Sequence, residues 1–332
     1  MNRREMSKRL LAGSLVGLGG FGSELAAAQS DFPSRPIRML VGFAAGGPTD
    51  SAARMIAEAM GKQLGQPVTV ENRPGANGLL AVTELLHSKP DGYSILLATN
   101  GTFTLAPVRY AKLPYDVKRD FTLIGSAVSY PHILVVPESS PVTDFPSFLK
   151  AGKEKKAGLN GASVSHANDL TIAWLQELAG IPITRISYRG DSAVVSDLVS
   201  NRLDFALLAP NVAMPLVEGK KVKAIALTAP GGTDALNKIK TIKDSGLPNF
   251  RDFEMDIWNC LVAPAGMTPE IVTKLAGVLR KVQAMPDIQA KLAFTGQHVQ
   301  IGSAEVLTQR IEREITHWQV VVKEANLPLL DL

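Results

Sequence analysis

A glycine-rich loop over residues 43–50, Phe-Ala-Ala-Gly-Gly-Pro-Thr-Asp, carries the clearest chemical signal of the chain. An apolar β-type run over 37–43 leads into this loop, and a helical pattern over 51–64 follows it. Unpaired backbone N–H groups at the start of a helix, together with the helix dipole, favour an anion. Gly46 and Gly47 have no Cβ atom, so a ligand can come close to the backbone there. The pattern predicts a site for a small carboxylate or phosphate.

The end of this loop indicates where the helix begins and which anions fit. Pro48 has no N–H group to satisfy in the first turn, and we expect Thr49 or Asp50 to cap the helix. The loop lacks the Gly-x-Gly-x-x-Gly spacing of dinucleotide sites and the lysine of a P-loop, which disfavours a nucleotide. The residues of this loop that we predict to bind the ligand are Phe43, Gly46, Gly47, Thr49 and Asp50.

Further loops that follow predicted strands are also rich in small and polar residues. In an open α/β sheet such loops meet at the carboxyl ends of the strands, where ligands bind. Each loop alone is consistent with an ordinary turn, but together they favour a shared site. Their candidate ligand-binding residues are Gly75, Ala76, Thr99, Asn100, Thr102, Ser163, Ser165, His166, Tyr188, Arg189 and Gly190.

Arg189 and His166 are the candidates whose side chains have distinctive chemistry. The planar guanidinium of Arg189 suits a carboxylate, and a solvated surface arginine is the alternative interpretation. His166 follows Ser165 at a predicted helix start, and no second His or Cys lies near it in the sequence. We therefore predict neither a metal site nor a cofactor.

A catalytic role would require a nucleophile paired with a base. Ser163 or Ser165 with His166 and Asp204 are the candidates, and neither serine lies in the Gly-x-Ser-x-Gly pattern of a nucleophile elbow. We therefore expect no enzymatic activity. Asp204 is instead predicted to belong to the ligand-binding site.

Strands and helices that alternate along the chain must position these loops. Short β-branched runs alternate with longer helical patterns, which predicts parallel α/β architecture. Extended crossings near 121–136 and 251–262 join two such units, and the helical patterns after residue 268 are expected to complete the first unit. The predicted fold is α/β with the two lobes of a periplasmic solute-binding protein, type II-like, with two crossover segments at the hinge.

The N-terminus has the three parts of a secretory signal peptide. Basic residues among 3–9 precede a short apolar run over 10–21, and the three alanines at 26–28 form a small-residue cleavage site. The paired arginines loosely resemble a twin-arginine signal. We predict export to the periplasm. The predicted division is a signal peptide over 1–28, lobe 1 over 29–128, lobe 2 over 129–252 and a C-terminal completion of lobe 1 over 253–332.

Composition excludes several classes of function. About 300 residues remain after the leader, enough for two domains with their own cores. Cys260 is the single cysteine, so the chain has no internal disulfide. The net charge of +4 falls to about +2 without the leader, and no basic block suggests nucleic acid. No later run is long and apolar enough to predict a membrane span.

Short motifs extend in order over essentially the whole mature chain. They lie at residues 33–37, 43–50, 64–68, 71–76, 90–93, 113–116, 120–121, 163–166, 188–190, 197–198, 203–204, 258 and 263–266. Together they resemble the motifs of the substrate-binding proteins of tripartite tricarboxylate transporters, the Bug or TctC family. The resemblance covers both predicted lobes.

This resemblance implies a two-lobed protein that captures a small carboxylate in a deep cleft. It implies that backbone N–H groups and ordered water at 43–50 hold the ligand, with 163–166 and 188–190 contributed by the second lobe. Di- and tricarboxylates, amino acids and aromatic acids are all ligands of this kind. Asn77, Arg189 and the Ser-Asn pair at 200–201 depart from the family's usual residues, so the sequence does not identify the ligand.

Three hypotheses of function follow. The leading one is a periplasmic solute-binding protein that delivers its carboxylate to the membrane components of a tripartite tricarboxylate-type transporter. The alternative is a sensing subunit that carries the same ligand to a membrane signalling partner such as a sensor kinase. An exported hydrolase or isomerase is the weakest hypothesis because the catalytic motif is missing. We expect a monomer that binds no nucleic acid.

Overall fold

A computed structural model describes residues 32–188 and 190–331 of the chain. The predicted signal peptide over 1–28 and the side chain of Arg189 lie outside these residues. Two mixed β-sheets with helices packed on them form the described part, which confirms the predicted two-lobed α/β fold. Within the described ranges, no helix combines the length and the apolar character that a bilayer crossing needs.

The strands and helices alternate through most of the chain. The strands are β1 (Ile37–Val41), β2 (Val68–Asn72), β3 (Ser94–Thr99), β4 (Phe121–Pro131), β5 (Ile133–Pro137), β6 (Leu159–Ser163), β7 (Ile183–Ser187), β8 (Phe205–Leu208), β9 (Val222–Leu227), β10 (Asp256–Pro264) and β11 (His298–Val299). The α-helices are α1 (Pro48–Leu64), α2 (Leu79–Leu86), α3 (Ala106–Arg109), α4 (Phe145–Glu154), α5 (His166–Ala179), α6 (Asp191–Val199), α7 (Pro210–Glu218), α8 (Pro269–Gln283), α9 (Pro286–Phe294) and α10 (Ala304–Glu324).

Each sheet is the centre of one lobe. The sheet of lobe 1 has the strand order β11-β4-β10-β3-β1-β2, and the sheet of lobe 2 has the order β7-β6-β8-β5-β9. In lobe 1, β1 pairs in parallel with β2 and β3, while β10 pairs antiparallel with β3 and β4. In lobe 2, β6 pairs in parallel with β7 and β8. Parallel pairing brings the loops after these strands to one edge of each sheet.

Two segments cross between the lobes. The first passes from β4 to β5 with His132 alone between the two strands, and the second returns from β9 to β10. β10 then pairs with β4 from Asp256 opposite Pro131 to Pro264 opposite Phe121. These segments agree with the crossings predicted from the sequence. The domain limits predicted at 128 and 252 stay a prediction.

The apolar patterns explain why these segments form buried elements. Every residue of β3 is buried, as expected for a strand covered on both faces. α1 buries Ala52, Ala53, Ile56 and Met60 at helical spacing against lobe 1. Because each lobe has its own apolar core, the loops at the strand ends are held on rigid supports.

The last helix reaches further than the sequence suggests. α8 and α9 pack on lobe 1, as expected. α10 buries Leu307 and Ile311 in a lobe 1 cluster and then places Trp318 beside Trp174 of α5, with ring centroids 5.6 Å apart. α10 therefore packs on both lobes rather than completing lobe 1 alone.

Candidate functional site

A cavity of about 520 Å³ lies between the two lobes, at the carboxyl ends of their strands. Both lobes and both crossing segments line it. Lobe 1 contributes 43–49, Asn77 and 99–101. Lobe 2 contributes 164–168, 190–192, Leu207, Ala209 and Val212, and the crossing segments contribute Tyr130, His132 and Ile257.

Asp50 holds the loop 43–49 in place from behind. Its Oδ2 atom accepts hydrogen bonds from the Gly46 N–H (2.9 Å) and from Arg54 Nε (3.0 Å). Its Oδ1 atom accepts one from Asn72 Nδ2 (2.8 Å), which also donates to the Phe43 carbonyl (3.0 Å). Burial alone would raise the pKa of Asp50, but the bonds from Arg54, Gly46 and Asn72 outweigh burial and hold that pKa below its ordinary value.

The start of α1 corrects one prediction. Gly47 is the N-cap and Pro48 the first helical residue, so the helix begins earlier than expected. Thr49 and Asp50 therefore lie inside the first turn, and the prediction that either one caps the helix is wrong. The fixed φ angle of proline suits the first helical position, which explains the earlier start.

Four helices, α1, α5, α6 and α7, begin at the cavity. Their N-cap residues are Gly47, Ser165, Gly190 and Ala209, all of which line it. Ser165 Oγ accepts a hydrogen bond from the Asn168 N–H (3.3 Å). Among the described residues, no side chain caps α1, α6 or α7. Their first-turn N–H groups and their dipoles therefore favour an anion in the cavity.

Burial keeps both histidines of the cavity uncharged at neutral pH. Burial lowers the pKa of His132 to about 4. Burial and the nearby Arg109 cation lower the pKa of His166 to about 4, with Asp169 acting in the opposite direction. A neutral imidazole offers one N–H donor and one acceptor nitrogen. The histidines are therefore hydrogen-bonding groups here rather than cations.

Several lining residues hold a buried polar atom that has no hydrogen-bond partner within the described ranges. Asn100 is 1% exposed, and its Nδ2 donates to the Asp256 carbonyl (2.9 Å), which leaves Oδ1 unpaired. The other such atoms are Thr99 Oγ1, His132 Nδ1 and His166 Nδ1. Because buried polar groups are nearly always paired in proteins, these atoms are available to hydrogen-bond a polar ligand or ordered water in the cavity.

The charged residue that lines the cavity, among those described, is acidic. Within 32–188 and 190–331, no Lys or Arg lines the cavity, but the acidic Asp191 does. Burial raises the pKa of Asp191. Burial also raises the pKa of Tyr130, and the negative charge of nearby Asp191 raises it further. The predicted role of Arg189 stays a prediction, since this side chain lies outside the described residues.

One hydrogen bond joins the lobes across the cavity. Asn77 of lobe 1 and His166 of lobe 2 are 3.0 Å apart, Nδ2 to Nε2. With His166 neutral, Asn77 Nδ2 donates to the acceptor nitrogen of the ring. Asn77 has a φ angle of 53°, a conformation that asparagine tolerates better than most residues.

The structure brings together most of the predicted residues. Those that line the cavity are Phe43, Gly46, Gly47, Thr49, Thr99, Asn100, Ser165, His166 and Gly190. Those that are not among its lining residues are Asp50, Gly75, Ala76, Thr102, Ser163, Tyr188 and Asp204.

Hydrogen bonds explain where several of these residues point instead. Thr102 Oγ1 donates to the Thr99 carbonyl (3.0 Å), and Tyr188 Oη donates to Asp197 (2.8 Å). Asp204 accepts hydrogen bonds from Lys155 Nζ (2.7 Å) and from the Asn160 N–H (2.6 Å). Asp204 precedes β8 and so lies at the amino end of that strand, whereas the cavity lies at the carboxyl ends.

Sequence reasoning missed Tyr130, His132, Asp191 and the start of α7 as lining residues. His132 follows a proline inside a predicted crossing, and Asp191 directly follows the candidate Gly190. An allowance of one residue beyond Gly190 finds Asp191, whereas His132 is found only if the crossing segment itself is expected to line the cavity. Among the described residues, no group of His, Cys, Asp or Glu is placed to hold a metal ion.

Comparison with known proteins gives a consistent picture. The model of the tripartite tricarboxylate transporter family receptor matches residues 52–327. The chain is 32% identical over 324 residues to the "UPF0065 protein in tcbD-tcbE intergenic region" of Pseudomonas sp. strain P51, covering 96% of this chain and 95% of that protein.

Two solved structures of ligand complexes are also similar. "R. palustris Rpa4515 with adipate" has a TM-score of 0.82 and 26% identity, covering 90% of this chain and 100% of that one. MatC from Rhodopseudomonas palustris "with bound malate" has a TM-score of 0.77 and 30% identity, covering 88% of this chain and 100% of that one.

Proposed function

Because this chain belongs to the tripartite tricarboxylate transporter receptor family, we propose that it captures a small carboxylate between its lobes in the periplasm. The second part of the proposal is that it delivers this ligand to the membrane components of such a transporter. The related structures with adipate and malate support a carboxylate as the ligand. The family is one of receptors, so the proposal assigns no catalytic role to Ser163, Ser165 or His166.

The observation that carries the proposal is the convergence of helix starts on the cavity. α1, α6 and α7 begin there without a side-chain cap from any described residue, and both histidines are neutral. A carboxylate can accept hydrogen bonds from several first-turn N–H groups at once, and hydrogen bonds to charged groups are worth about 1.5–3 kcal/mol each. Backbone donors suit carboxyl groups on otherwise different molecules.

Binding in this position would couple the ligand to the arrangement of the lobes. The helix starts of lobe 1 and lobe 2 face the same cavity, and two crossing segments join the lobes. A ligand that contacts both lobes stabilises the closed arrangement by its differential affinity for that arrangement. The bond between Asn77 and His166 adds to closure.

A thermal-shift panel of mono-, di- and tricarboxylates on the exported, mature protein tests the proposal. A ligand at about 100 times its dissociation constant should stabilise the protein by about 2.7 kcal/mol. Mass spectrometry of the native protein should show which acid, if any, co-purifies with it. The proposal fails if no carboxylate shifts the melting temperature and none co-purifies.

A further inference from the structure

Asp191 places a negatively charged side chain in a cavity that is proposed to bind a negatively charged carboxylate. It is the first residue of α6 and lines the lobe 2 side, opposite the glycine-rich loop of lobe 1. Two carboxylates that share one cavity repel each other, and this repulsion disfavours binding of a plain diacid. The side chain therefore needs a partner that the ligand itself could supply.

The surroundings of Asp191 contain no such partner among the described residues. Within 32–188 and 190–331, its half-buried carboxylate takes part in neither a hydrogen bond nor an ion pair. The neighbouring Tyr130 is a neutral phenol. An acidic residue in the first turn does stabilise a helix through the dipole, but that effect does not depend on facing a cavity.

A second observation points to a ligand that donates hydrogen bonds. Asn100 is fixed by its bond to the Asp256 carbonyl, so its buried Oδ1 atom is available only as an acceptor. Thr99 Oγ1, next to it, is also buried without a partner among the described residues. The cavity thus combines N–H donors at the helix starts with one acceptor, Asn100 Oδ1, that a carboxylate cannot satisfy, while the Thr99 hydroxyl can either donate or accept.

We propose that Asp191 binds a protonated amino group and that the ligand is an amino carboxylic acid rather than a plain di- or tricarboxylic acid. The carboxylate end would lie at the uncapped starts of α1 and α7, and the ammonium would pair with Asp191 at the start of α6. This inference rests on the proposed function, since the helix starts are assigned to the carboxylate. Asp191 is therefore a specificity-determining residue.

Matched ligands test this inference on the mature protein by calorimetry. Two matched pairs are used, glutarate with glutamate and butanoate with 4-aminobutanoate. Within each pair, the second ligand differs from the first by an added ammonium group. At least one amino acid of the set should bind about tenfold or more tightly than the matched acid without nitrogen, the lower limit for a hydrogen bond to a charged group. The same comparison with succinate and aspartate covers a shorter chain.

The Asp191→Asn variant tests whether Asp191 is the side chain that binds the ammonium group. It should reduce the preference for the amino acid to about threefold or less, and it should leave or improve the binding of glutarate. Asp252→Asn is the matched control, because it removes the same charge from a side chain that is 88% exposed on the surface. The control should keep the wild-type preference.

The outcomes separate this inference from the proposed function. If glutarate or succinate binds as tightly as its amino counterpart, the inference fails while carboxylate capture stands. The inference also fails if Asp191→Asn weakens both kinds of ligand equally, since Asp191 then has a structural partner. If no acid of either kind binds and none co-purifies, the proposed function itself fails.

Discussion

The lobe 1 wall of the cavity is a loop held by its own hydrogen bonds, whereas the lobe 2 wall is a set of helix starts that carry titratable side chains. On the first wall, Asp50 and Asn72 fix the backbone from Phe43 to Gly46. On the second wall, His166 and Asp191 face the cavity directly. Both walls present backbone donors, but among the described residues a charged side chain, Asp191, lines only the second wall.

This difference suggests a division of labour between the lobes. Backbone N–H groups donate to any carboxylate, so the glycine-rich loop of lobe 1 contributes affinity for the whole class of ligand. Asp191 carries the charge among the described cavity residues, so lobe 2 should supply most of the preference among members of the class, with Asn100 Oδ1 of lobe 1 as a further acceptor. The proposed role of Asp191 is one example. Variants of the two walls should then change different quantities, namely overall affinity for lobe 1 and preference among ligands for lobe 2.

Asp50→Ala is expected to have the largest effect. It leaves Gly46 N–H, Arg54 and Asn72 without their common acceptor, in a site where Asp50 is 2% exposed. We expect the free energy of unfolding to fall by about 3 kcal/mol, and every carboxylate to lose at least about tenfold in affinity. Chemical denaturation and calorimetry measure the two effects.

Two further results would sharpen this comparison. Because the folded-state pKa of Asp50 lies below its ordinary value, its contribution to stability is present at neutral pH and is lost as pH falls through that lowered pKa. Asp204→Ala removes a carboxylate that bonds Lys155 and Asn160 away from the cavity, so it should leave affinity unchanged. A uniform loss of affinity in both variants would contradict the assignment to lobe 1.

The pH dependence of stability tests the neutral histidines. The pKa values of His132 and His166 are about 4 in the folded protein, against 6.5 ordinarily. Between these values the unfolded chain binds more protons, so the free energy of unfolding falls as pH drops from 6.5 to 4. The expected loss is about 2–3 kcal/mol for each histidine.

His132→Gln isolates the contribution of the more buried histidine. In this variant the stability curve should become less steep between pH 6.5 and 4, the two values given for His132. His87→Gln serves as the control because His87 is exposed on α2's carboxyl end. Identical slopes for the wild type and His132→Gln would show that His132 carries a proton in the folded protein.

Gly296→Ala tests how closely the lobes approach each other. A Cβ atom at Gly296 of lobe 1 would lie 2.2 Å from Pro210 Cβ at the start of α7 in lobe 2. The substitution should hold the lobes apart and lower the affinity for every ligand by about tenfold, without changing the preference among ligands. Calorimetry with two matched acids measures both quantities.

Gly180→Ala is the matched control for backbone strain. Gly180 has a φ of 61° and Gly296 a φ of 72°, so alanine is strained at both, but no atom lies within 4 Å of a Cβ at Gly180. The Gly180→Ala variant should lose about 1–2 kcal/mol in its free energy of unfolding and keep its affinity for the ligand. If Gly296→Ala also keeps its affinity, the approach of Gly296 to Pro210 does not belong to the ligand-bound arrangement.

The two walls also differ in how well the sequence predicts them. The loop 43–50 was recognised because glycines, proline and a strand-to-helix change lie within eight consecutive residues. The lobe 2 wall combines residues from 164–168, 190–192 and 207–212, which only the fold brings together. The orientation of Tyr188 toward Asp197 and of Asp204 toward Lys155 depends on partners distant in sequence, so residue type alone could not give it.

The bond between Asn77 and His166 provides the smallest and most selective test of this division. Asn77→Gly removes the donor, and glycine accepts the φ of 53° without strain. The bond is neutral and connects the two lobes without contacting the ligand. The affinity for every carboxylate should therefore fall by about threefold, within the range for one hydrogen bond. A double-mutant cycle with His166→Ala should give a coupling of about 0.5–1 kcal/mol, since each variant removes the same bond. If Asn77→Gly instead changes the preference between glutarate and glutamate, then Asn77 contacts the ligand, and the preference among ligands does not come mainly from lobe 2.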